Sequence, residues 1–260
     1  MTPSIDTYIN FANQLADESG QILRDYFRQP LTIHDKADMS PVTIADQKVE
    51  MQLRLLIGHT YPEHGIYGEE MGETAIDAEY VWVIDPIDGT KSFITGKPLF
   101  GTLIALLHHG KPILGVIDQP ILRERWIGVK NLPTTLNGQG VTVRRCDDLS
   151  KAYLYATTPH MFTGQDTMRF GKVASEVKHP LYGADCYAYA LLANGFVDLV
   201  IEADLSPYDY CALIPVIEQA GGIITDWQGQ PLTLQSDGRV IAAGDKSVHQ
   251  QALQILNSEI

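Results

Sequence analysis

Apolar residues recur at helical spacing through the first sixty positions of the chain. Between Ile5 and Tyr26 they fall three or four positions apart, and the same spacing returns after Asp46, over residues 49–57. Because this spacing places apolar side chains on one face of a helix, it predicts two amphipathic helices. From Gly65 onward, short apolar and β-branched runs separated by turn residues indicate strands. Two helices are therefore expected before the first sheet.

The pattern changes character near residue 147. Strands and hairpins from Gly65 to about Val143 predict an α+β half over residues 1–147. Beyond Ala152, strand patterns alternate with helical ones, which predicts an α/β half over residues 148–260. We expect one compact unit with a soft boundary between these halves.

The segment 81–90 carries the strongest chemical signal, and it reads Val-Trp-Val-Ile-Asp-Pro-Ile-Asp-Gly-Thr. Its apolar strand is expected to end at Asp85, because Pro86 cannot donate a ladder hydrogen bond. Asp88 and Gly89 suit a turn with an unusual φ, and a helix opening at Thr90 would present free N–H groups to an anion. The segment predicts a metal and phosphate site. The alternative is ordinary turn chemistry, with Asp88 as a helix cap.

Two further acids favour the metal interpretation. Glu69 closes a short predicted strand over residues 65–67, and Asp209 begins a predicted helical run over residues 210–220. Magnesium is usually held by a few carboxylates together with water and substrate phosphate. Glu69, Asp85, Asp88 and Asp209 fit that description.

These motifs resemble those of the inositol monophosphatase family, a group of Mg²⁺-dependent, lithium-sensitive phosphatases. The family signature Asp-Pro-hydrophobic-Asp-Gly-Thr is intact at residues 85–90, and the resemblance covers nearly the whole chain. The family's Gly-Glu-Glu element falls on Glu69, and its Thr-Ala-Thr-Asp-like element falls on residues 43–46. The second signature is matched only in part, since Asp209 is flanked by Tyr208 and the bulky Tyr210.

The resemblance implies a layered αβαβα sandwich, with the active site between the halves, and a homodimer. It implies two or three Mg²⁺ ions, with Mn²⁺ as an alternative, and direct attack of an activated water on a small-molecule phosphate monoester. The implied catalytic residues are Asp46, Thr90 and Glu69. The implied metal ligands are Glu69, Asp85, Ile87, Asp88 and Asp209. The implied substrate and phosphate contacts are Asp88, Gly89, Thr90, Gly183, Ala184, Asp185, Glu202 and Asp209. Lys36 and Glu70 are further candidates, and Lys36 could equally be a solvated loop lysine.

The segment that is expected to line the substrate departs from the pattern of the inositol phosphatases and looks most like the histidinol-phosphatase branch. Asp185 replaces a small residue, and Glu202 matches the family's substrate-contacting glutamate. Two carboxylates favour a cationic leaving group, and histidinol carries an ammonium and an imidazole. A hydrogen bond to a charged group contributes about 1.5–3 kcal/mol, which is about 10- to 100-fold in affinity. The structural alternatives are a helix N-cap for Asp185 and an exposed strand-end acid for Glu202.

Composition narrows the function classes. The chain has 260 residues, 45% of them hydrophobic, and a formal charge of −13, which disfavours nucleic-acid backbones and anionic membranes. We see no apolar run near the roughly 18 residues that a membrane span needs. Cys146, Cys186 and Cys211 lack zinc spacing, and we expect reduced thiols in a cytoplasmic protein.

Three interpretations remain open from the sequence. A histidinol-phosphate phosphatase of histidine biosynthesis comes first. A phosphatase of inositol monophosphate, or of another sugar or nucleotide phosphate, shares the same metal chemistry and comes second. The third is a catalytically silent binding or regulatory protein on the same scaffold.

Overall fold

The computed structural model describes residues 3–30, 33–35 and 41–258, and all structural statements concern these residues. Lys36 lies outside them. The helices are α1 (Ile5–Tyr26), α2 (Ile44–Thr60), α3 (Thr90–Ile94), α4 (Gln165–Glu176), α5 (Cys186–Ala193), α6 (Pro207–Tyr210), α7 (Leu213–Gln219) and α8 (Lys246–Leu256). The strands are β1 (Ile33–Asp35), β2 (Pro41–Thr43), β3 (Gly65–Gly68), β4 (Gly72–Thr74), β5 (Tyr80–Asp88), β6 (Gly101–His108), β7 (Lys111–Gln119), β8 (Glu124–Val129), β9 (Leu132–Leu136), β10 (Gln139–Gly140), β11 (Tyr153–Ala156), β12 (His179–Tyr182), β13 (Leu199–Glu202), β14 (Ile223–Thr225) and β15 (Val240–Ala243).

The two amphipathic helices predicted before the sheet are confirmed as α1 and α2. The hydroxyl of Ser4 accepts a hydrogen bond from the Thr7 N–H at the start of α1. Thr43 and Asp46 form a capping box at the start of α2, in which each side chain binds the other residue's backbone N–H. This box fixes Asp46 in the first turn of α2, at the end nearest the candidate site.

The first sheet has eight strands in the order β10-β9-β8-β7-β6-β5-β3-β4, and only β3 and β5 run parallel to each other. Its strand β5 is buried on both faces. Val81 and Val83 point to one side, and Trp82 and Ile84 point to the other. Helices therefore cover both faces of this sheet, which explains the continuous apolar run in the sequence.

The second sheet has five strands in the order β12-β11-β13-β15-β14. Strand β11 runs parallel to β12 and β13, whereas β15 runs antiparallel to β13 and β14. The central strand β13 is completely buried and ends at Glu202. A buried central strand thus places an acidic residue at its carboxyl end.

Helices and sheets stack in five layers. Helices α1 and α2 share a core with one face of the first sheet. Helices α5 and α7 fill the space between the two sheets, and α4 and α8 pack on the far face of the second sheet. The predicted αβαβα sandwich is confirmed. None of the described helices combines the length and apolar character needed to cross a membrane.

One strand boundary was predicted wrongly. Strand β5 does not end at Asp85 but continues to Asp88, and a bulge shifts its register against β6. Asp85 lies opposite Leu103, and Asp88 lies opposite Gly101, so three steps along β5 match two along β6. Pro86 lies within this bulge, where no ladder N–H is required. Residues three apart on a regular strand face opposite sides, and the extra residue brings both acids to one side.

Candidate active site

Three carboxylates meet at the end of β5. Asp85 and Asp88 come from the bulge, and Asp209 comes from α6. One oxygen from each lies within 4.8 Å of the other two. Hard divalent cations take oxygen ligands, so this group has the chemistry of a magnesium site.

Backbone geometry holds Asp85 and its neighbours in place. The Ile87 N–H donates to Asp85 Oδ1 over 2.9 Å, and Thr90 Oγ1 donates to the Ile87 carbonyl over 3.0 Å. Because the Ile87 side chain is buried and apolar, its carbonyl oxygen is the atom it can offer to a metal. Gly89 adopts φ +85° and precedes α3, so the predicted turn and short helix are confirmed.

Asp209 is fixed by a capping box at the start of α6. Its Oδ2 accepts a hydrogen bond from the Ser206 N–H over 2.6 Å. The continuous helical run predicted over residues 210–220 is instead divided into α6 and α7. Asp209 consequently lies inside a short helix of its own.

The three acids strongly perturb one another. Burial raises the pKa of Asp85 well above its usual value, and the nearby carboxylates of Glu69, Asp88 and Asp209 raise it further. Burial also raises the pKa of Asp88, with Asp185 and Asp209 adding to the effect. Burial is the main cause that raises the pKa of Asp209 to about 8, against a backbone hydrogen bond from Ser206 that lowers it. Crowded buried carboxylates resist ionisation unless positive charge is supplied.

Among the residues that the structure describes, no neighbouring side chain supplies that positive charge. Within the described parts of the chain, no lysine or arginine forms an ion pair with Asp85, Asp88 or Asp209. Glu69 adds a further acid, since it shares a hydrogen bond with the Asp85 carboxyl. The Glu69 N–H also donates to the Ile84 carbonyl over 3.3 Å, which ties it to β5.

The charge of Glu69 acts on the Asp46 carboxyl. Burial is the main cause that raises the Asp46 pKa, and the Glu69 carboxylate adds to it. The Thr43 N–H and hydroxyl donate to Asp46 Oδ2 over 2.8 and 2.7 Å. Asp46 Oδ1 is buried, and no described group makes a hydrogen bond to it. An oxygen-only donor set with this unsatisfied buried atom fits Mg²⁺ and its coordinated water.

A cavity of about 110 Å³ adjoins two of the three acids, Asp88 and Asp209. Its lining includes Asp88, Thr157, Asp185, Tyr189, Glu202 and Asp209. Glu202 is only 3% exposed, so its alternative as an exposed strand-end acid is wrong. The Thr157 N–H donates to its Oε1 over 2.8 Å, and the Tyr189 hydroxyl donates to its Oε2 over 3.0 Å. Burial raises the pKa of Glu202 to about 7 despite these hydrogen bonds.

Asp185 precedes α5 but does not cap it. Its φ is +48°, and its side chain makes no capping hydrogen bond, so the helix-cap alternative is wrong. Ser92 Oγ instead donates to Asp185 Oδ2 over 2.7 Å. Burial raises the Asp185 pKa, and the charges of Lys97 and Lys91 partly offset that rise. The Asp185 carboxylate is thereby aimed at the turn after β5.

Residues around the start of α5 contribute backbone groups to the contacts of the site. Ala184 is buried, and the Gly183 carbonyl accepts a hydrogen bond from Lys97 Nζ. The Cys186 N–H donates to Asp88 Oδ2 over 2.5 Å, which joins α5 to the group of three acids. A Cβ added at Gly89 would lie 2.9 Å from the Asp185 carboxyl carbon, so glycine permits this close approach.

Several contacting residues were missed from the sequence. Tyr189 could have been found, because it lies only four positions after Asp185. Ser92 and Thr157 carry no such signal, since their partners lie far away in sequence. Glu70, which was a candidate, follows Glu69 in the turn between β3 and β4.

Two other features lie away from this site. A larger cavity of about 570 Å³ lies beside α1 and β7 to β9, where Asp17 and Asp118 are both bound by Arg125. Glu79, His108 and His109 bring donor atoms within 4.8 Å of one another, but all three side chains are at least partly exposed. Neither feature combines buried acids with a cavity and a phosphate-binding turn.

Comparisons with known proteins agree with this geometry. The family model described as the inositol monophosphatase family matches residues 4–260. The bifunctional phosphatase IMPL2, chloroplastic, of Arabidopsis thaliana is 56% identical, over 97% of this chain and 75% of that protein. The histidinol-phosphatase of Chlorobaculum parvum is 32% identical over 93% of each chain. A solved inositol monophosphatase from Zymomonas mobilis is 46% identical, with a TM-score of 0.90 over 98% of this chain and 100% of that one.

Proposed function

Because the chain belongs to the inositol monophosphatase family, we propose that it is a Mg²⁺-dependent hydrolase that converts L-histidinol phosphate to L-histidinol and phosphate. Family membership makes it a phosphatase, and the substrate is our inference. The observation that carries this choice is a pair of acids, the buried Glu202 and the half-buried Asp185, in the cavity beside Asp88 and Asp209.

The charge of this cavity favours a cationic leaving group. Glu202 is buried and Asp185 is half-buried, and desolvation raises the pKa of both acids, which disfavours their ionised forms. An ammonium or imidazolium would add positive charge beside these acids and form charge-assisted hydrogen bonds with them. A neutral polyol would form hydrogen bonds without that compensation. The Chlorobaculum parvum relative, which is named a histidinol-phosphatase, supports the same choice.

We assign the chemistry to residues around the β5 bulge. Glu69, Asp85, Asp88, Asp209 and the Ile87 carbonyl would hold magnesium, with two or three ions per site. Bound magnesium supplies Lewis-acid chemistry, which lowers the pKa of a water and offsets charge on the phosphate. Asp46 and Thr90 would orient the attacking water, and Asp46 Oδ1 would take its proton. The N–H groups of Gly89 and Thr90 would bind phosphate oxygens during direct attack, without a phosphoenzyme.

The first experiment compares kcat/KM with Mg²⁺ on four substrates. These are histidinol phosphate, inositol 1-phosphate, fructose 1,6-bisphosphate and adenosine 3′,5′-bisphosphate. We expect a strong preference for histidinol phosphate. A preference for any of the others would refute the substrate, and no turnover on any of them would favour a silent scaffold.

The second experiment isolates the charge of the two acids. Asp185→Asn and Glu202→Gln keep a hydrogen-bond acceptor but remove the negative charge. We expect kcat/KM for histidinol phosphate to fall by about 10- to 100-fold, because a charge-assisted hydrogen bond contributes about 1.5–3 kcal/mol. Inositol 1-phosphate should lose much less, since its hydroxyls can still donate to the amide oxygen. Equal losses on both substrates would contradict recognition of a cation.

A second candidate function is hydrolysis of inositol monophosphate. It is favoured by the similarity to the Zymomonas mobilis inositol monophosphatase over almost the whole chain. Glu202 could also accept hydrogen bonds from the hydroxyls of a polyol. The substrate comparison above separates the two candidates directly.

Assembly and location are further proposals. We propose a homodimer in the cytoplasm, on the basis of the family resemblance and of three cysteines that are all unpaired. Size-exclusion chromatography with light scattering would test the dimer.

A further inference from the structure

Glu50 is a buried acid that contacts the turn carrying Glu69. It is fully buried on α2, one helical turn after Asp46. Its Oε2 accepts a hydrogen bond from the Glu70 N–H over 2.6 Å, and its Oε1 accepts one from the Met71 N–H over 3.0 Å. One carboxylate therefore binds the two consecutive backbone N–H groups that follow Glu69.

Arg54 extends this contact by another helical turn. Its Nε donates to Glu50 Oε1 over 2.7 Å, so the buried carboxylate has a cationic partner. Its other nitrogens donate to the Gly72 carbonyl and, over 3.3 Å, to Thr74 Oγ1. Residues four apart on a helix share a face, so Asp46, Glu50 and Arg54 together follow the turn from β3 to β4.

Close packing leaves the turn little freedom. A Cβ added at Gly68 would lie 2.1 Å from Glu50 Oε1, so only glycine lets the strand approach the carboxylate. On the other side, Glu69 is tied to Ile84 through its N–H and to Asp85 through its carboxyl. The turn is thus fixed between α2 and β5, with Glu69 at the point of contact with the metal site.

We propose that Glu50 is a positioning residue, which sets the Glu69 carboxylate beside Asp85 and thereby determines the affinity of the site for Mg²⁺. This inference rests on the proposed metal site. Glu50 does not touch substrate in this role, and it acts by fixing the backbone on which Glu69 stands. Partners of metal ligands commonly contribute about 10- to 100-fold to metal affinity or activity.

The test is Glu50→Gln, which preserves shape but turns one acceptor into a donor that opposes a backbone N–H. Titration calorimetry with MgCl₂ on the substrate-free protein should show a Kd raised by about 10- to 100-fold. At saturating Mg²⁺, the substrate KM should stay within a few-fold of wild type. Amide hydrogen exchange at Glu70 and Met71 should become faster, because their acceptor is weakened.

Asp198→Asn is the matched control. Asp198 is also a buried carboxylate that binds an arginine and a backbone N–H, but it lies in the second sheet. We expect it to lower Tm without changing the Kd for Mg²⁺. If Glu50→Gln behaves the same way, Glu50 is merely structural and the proposal is overturned.

Two further outcomes keep the proposals separate. If wild type binds no Mg²⁺, the proposed metal site fails, and the role of Glu50 fails with it. If wild type binds Mg²⁺ and Glu50→Gln binds it equally well, only the positioning role fails. Should Glu50→Gln not fold, Arg54→Gln leaves the carboxylate in place and should raise the Kd in the same direction by a smaller factor. An unchanged Kd in Arg54→Gln would then refute the proposal.

Discussion

Buried carboxylates occur in two contrasting settings in this molecule. Asp118 and Asp198 are each bound by an arginine, with Nε to oxygen distances of 2.6 Å. Asp85 is buried and Asp88 and Asp209 are half-buried, and these three acids contact backbone N–H groups and one another. Burial of an acid is therefore no sign of a site by itself. The informative observation is a group of buried acids to which the described chain supplies no cation.

The two settings have opposite effects on the fold. An arginine partner offsets much of the desolvation penalty of Asp118 and Asp198, so breaking either pair should destabilise the protein. The three clustered acids raise one another's pKa values, so they destabilise the protein until cations arrive. Replacing an acid by its amide should consequently lower the stability of the protein at the arginine-bound acids but not at the three clustered acids.

The largest expected effect is at Asp85. Asp85→Asn removes a metal ligand and one of three crowded charges, so Mg²⁺-dependent phosphate release should fall by more than about 100-fold. The metal-free Tm should not fall, because a repulsive charge has been removed. Phosphate release and thermal unfolding with EDTA would check both statements. Substantial Mg²⁺-dependent turnover in this variant would refute the assignment of Asp85 as a metal ligand.

The corresponding change in the other region is Asp198→Asn. It leaves the Arg144 guanidinium and the Tyr153 N–H without their carboxylate. We expect the free energy of unfolding to fall by about 3 kcal/mol, which is at the low end for a buried pair because Arg144 is partly exposed. Urea denaturation measures this change, and kcat/KM at low temperature should be unaltered. Undiminished stability would contradict the contrast between the two regions.

The acidic cluster should also make metal-free stability depend on pH. The unfolded chain ionises these acids near their ordinary values, whereas the folded chain keeps Asp209 protonated up to about pH 8. The folded state thus binds more protons between about pH 4 and 8, so its stability falls as the pH rises through this window. Mg²⁺ replaces those protons, and its stabilising effect should grow with pH. Urea denaturation midpoints, measured at pH 5.5 and 8.0 in EDTA or in MgCl₂, test this pH dependence. A stabilisation by Mg²⁺ that shrinks with pH would contradict it.

The smallest change in stability is expected at an ion pair on the exposed surface. Lys151 approaches Asp147 and Asp148 at 3.6 and 3.7 Å, but its side chain is 66% exposed. Lys151→Ala should change the free energy of unfolding by less than about 0.5 kcal/mol. Urea denaturation beside Asp198→Asn would show whether burial, rather than pairing alone, sets the size of the effect.

Hydrophobic periodicity and local motifs predicted several helices and turns of this molecule. Helical spacing predicted α1 and α2. Segment 81–90 indicated the acids and the glycine turn because its chemistry is contained in ten consecutive residues. The layered arrangement came from resemblance to a family rather than from these patterns.

The remainder depended on contacts between distant residues. The bulge in β5 was missed because the register is set by β6, and a rule about proline alone cannot supply it. Ser92 binds Asp185 across 93 positions, and Glu50 binds Glu70 across 20. A helix N-cap is the default interpretation for an acid before a helix, and only the folded chain shows that Asp185 points elsewhere.

Helix α5 begins beside Asp88 and carries Tyr189 along the wall of the substrate cavity. The proposed metal ligands stand on other segments, namely the turn after β3, the bulge of β5 and the start of α6. Substitutions at a few positions around α5 and β13 can therefore change which leaving group the cavity accepts while the proposed metal ligands stay in place. A scaffold divided in this way can diversify its substrates over evolution at little risk to its chemistry.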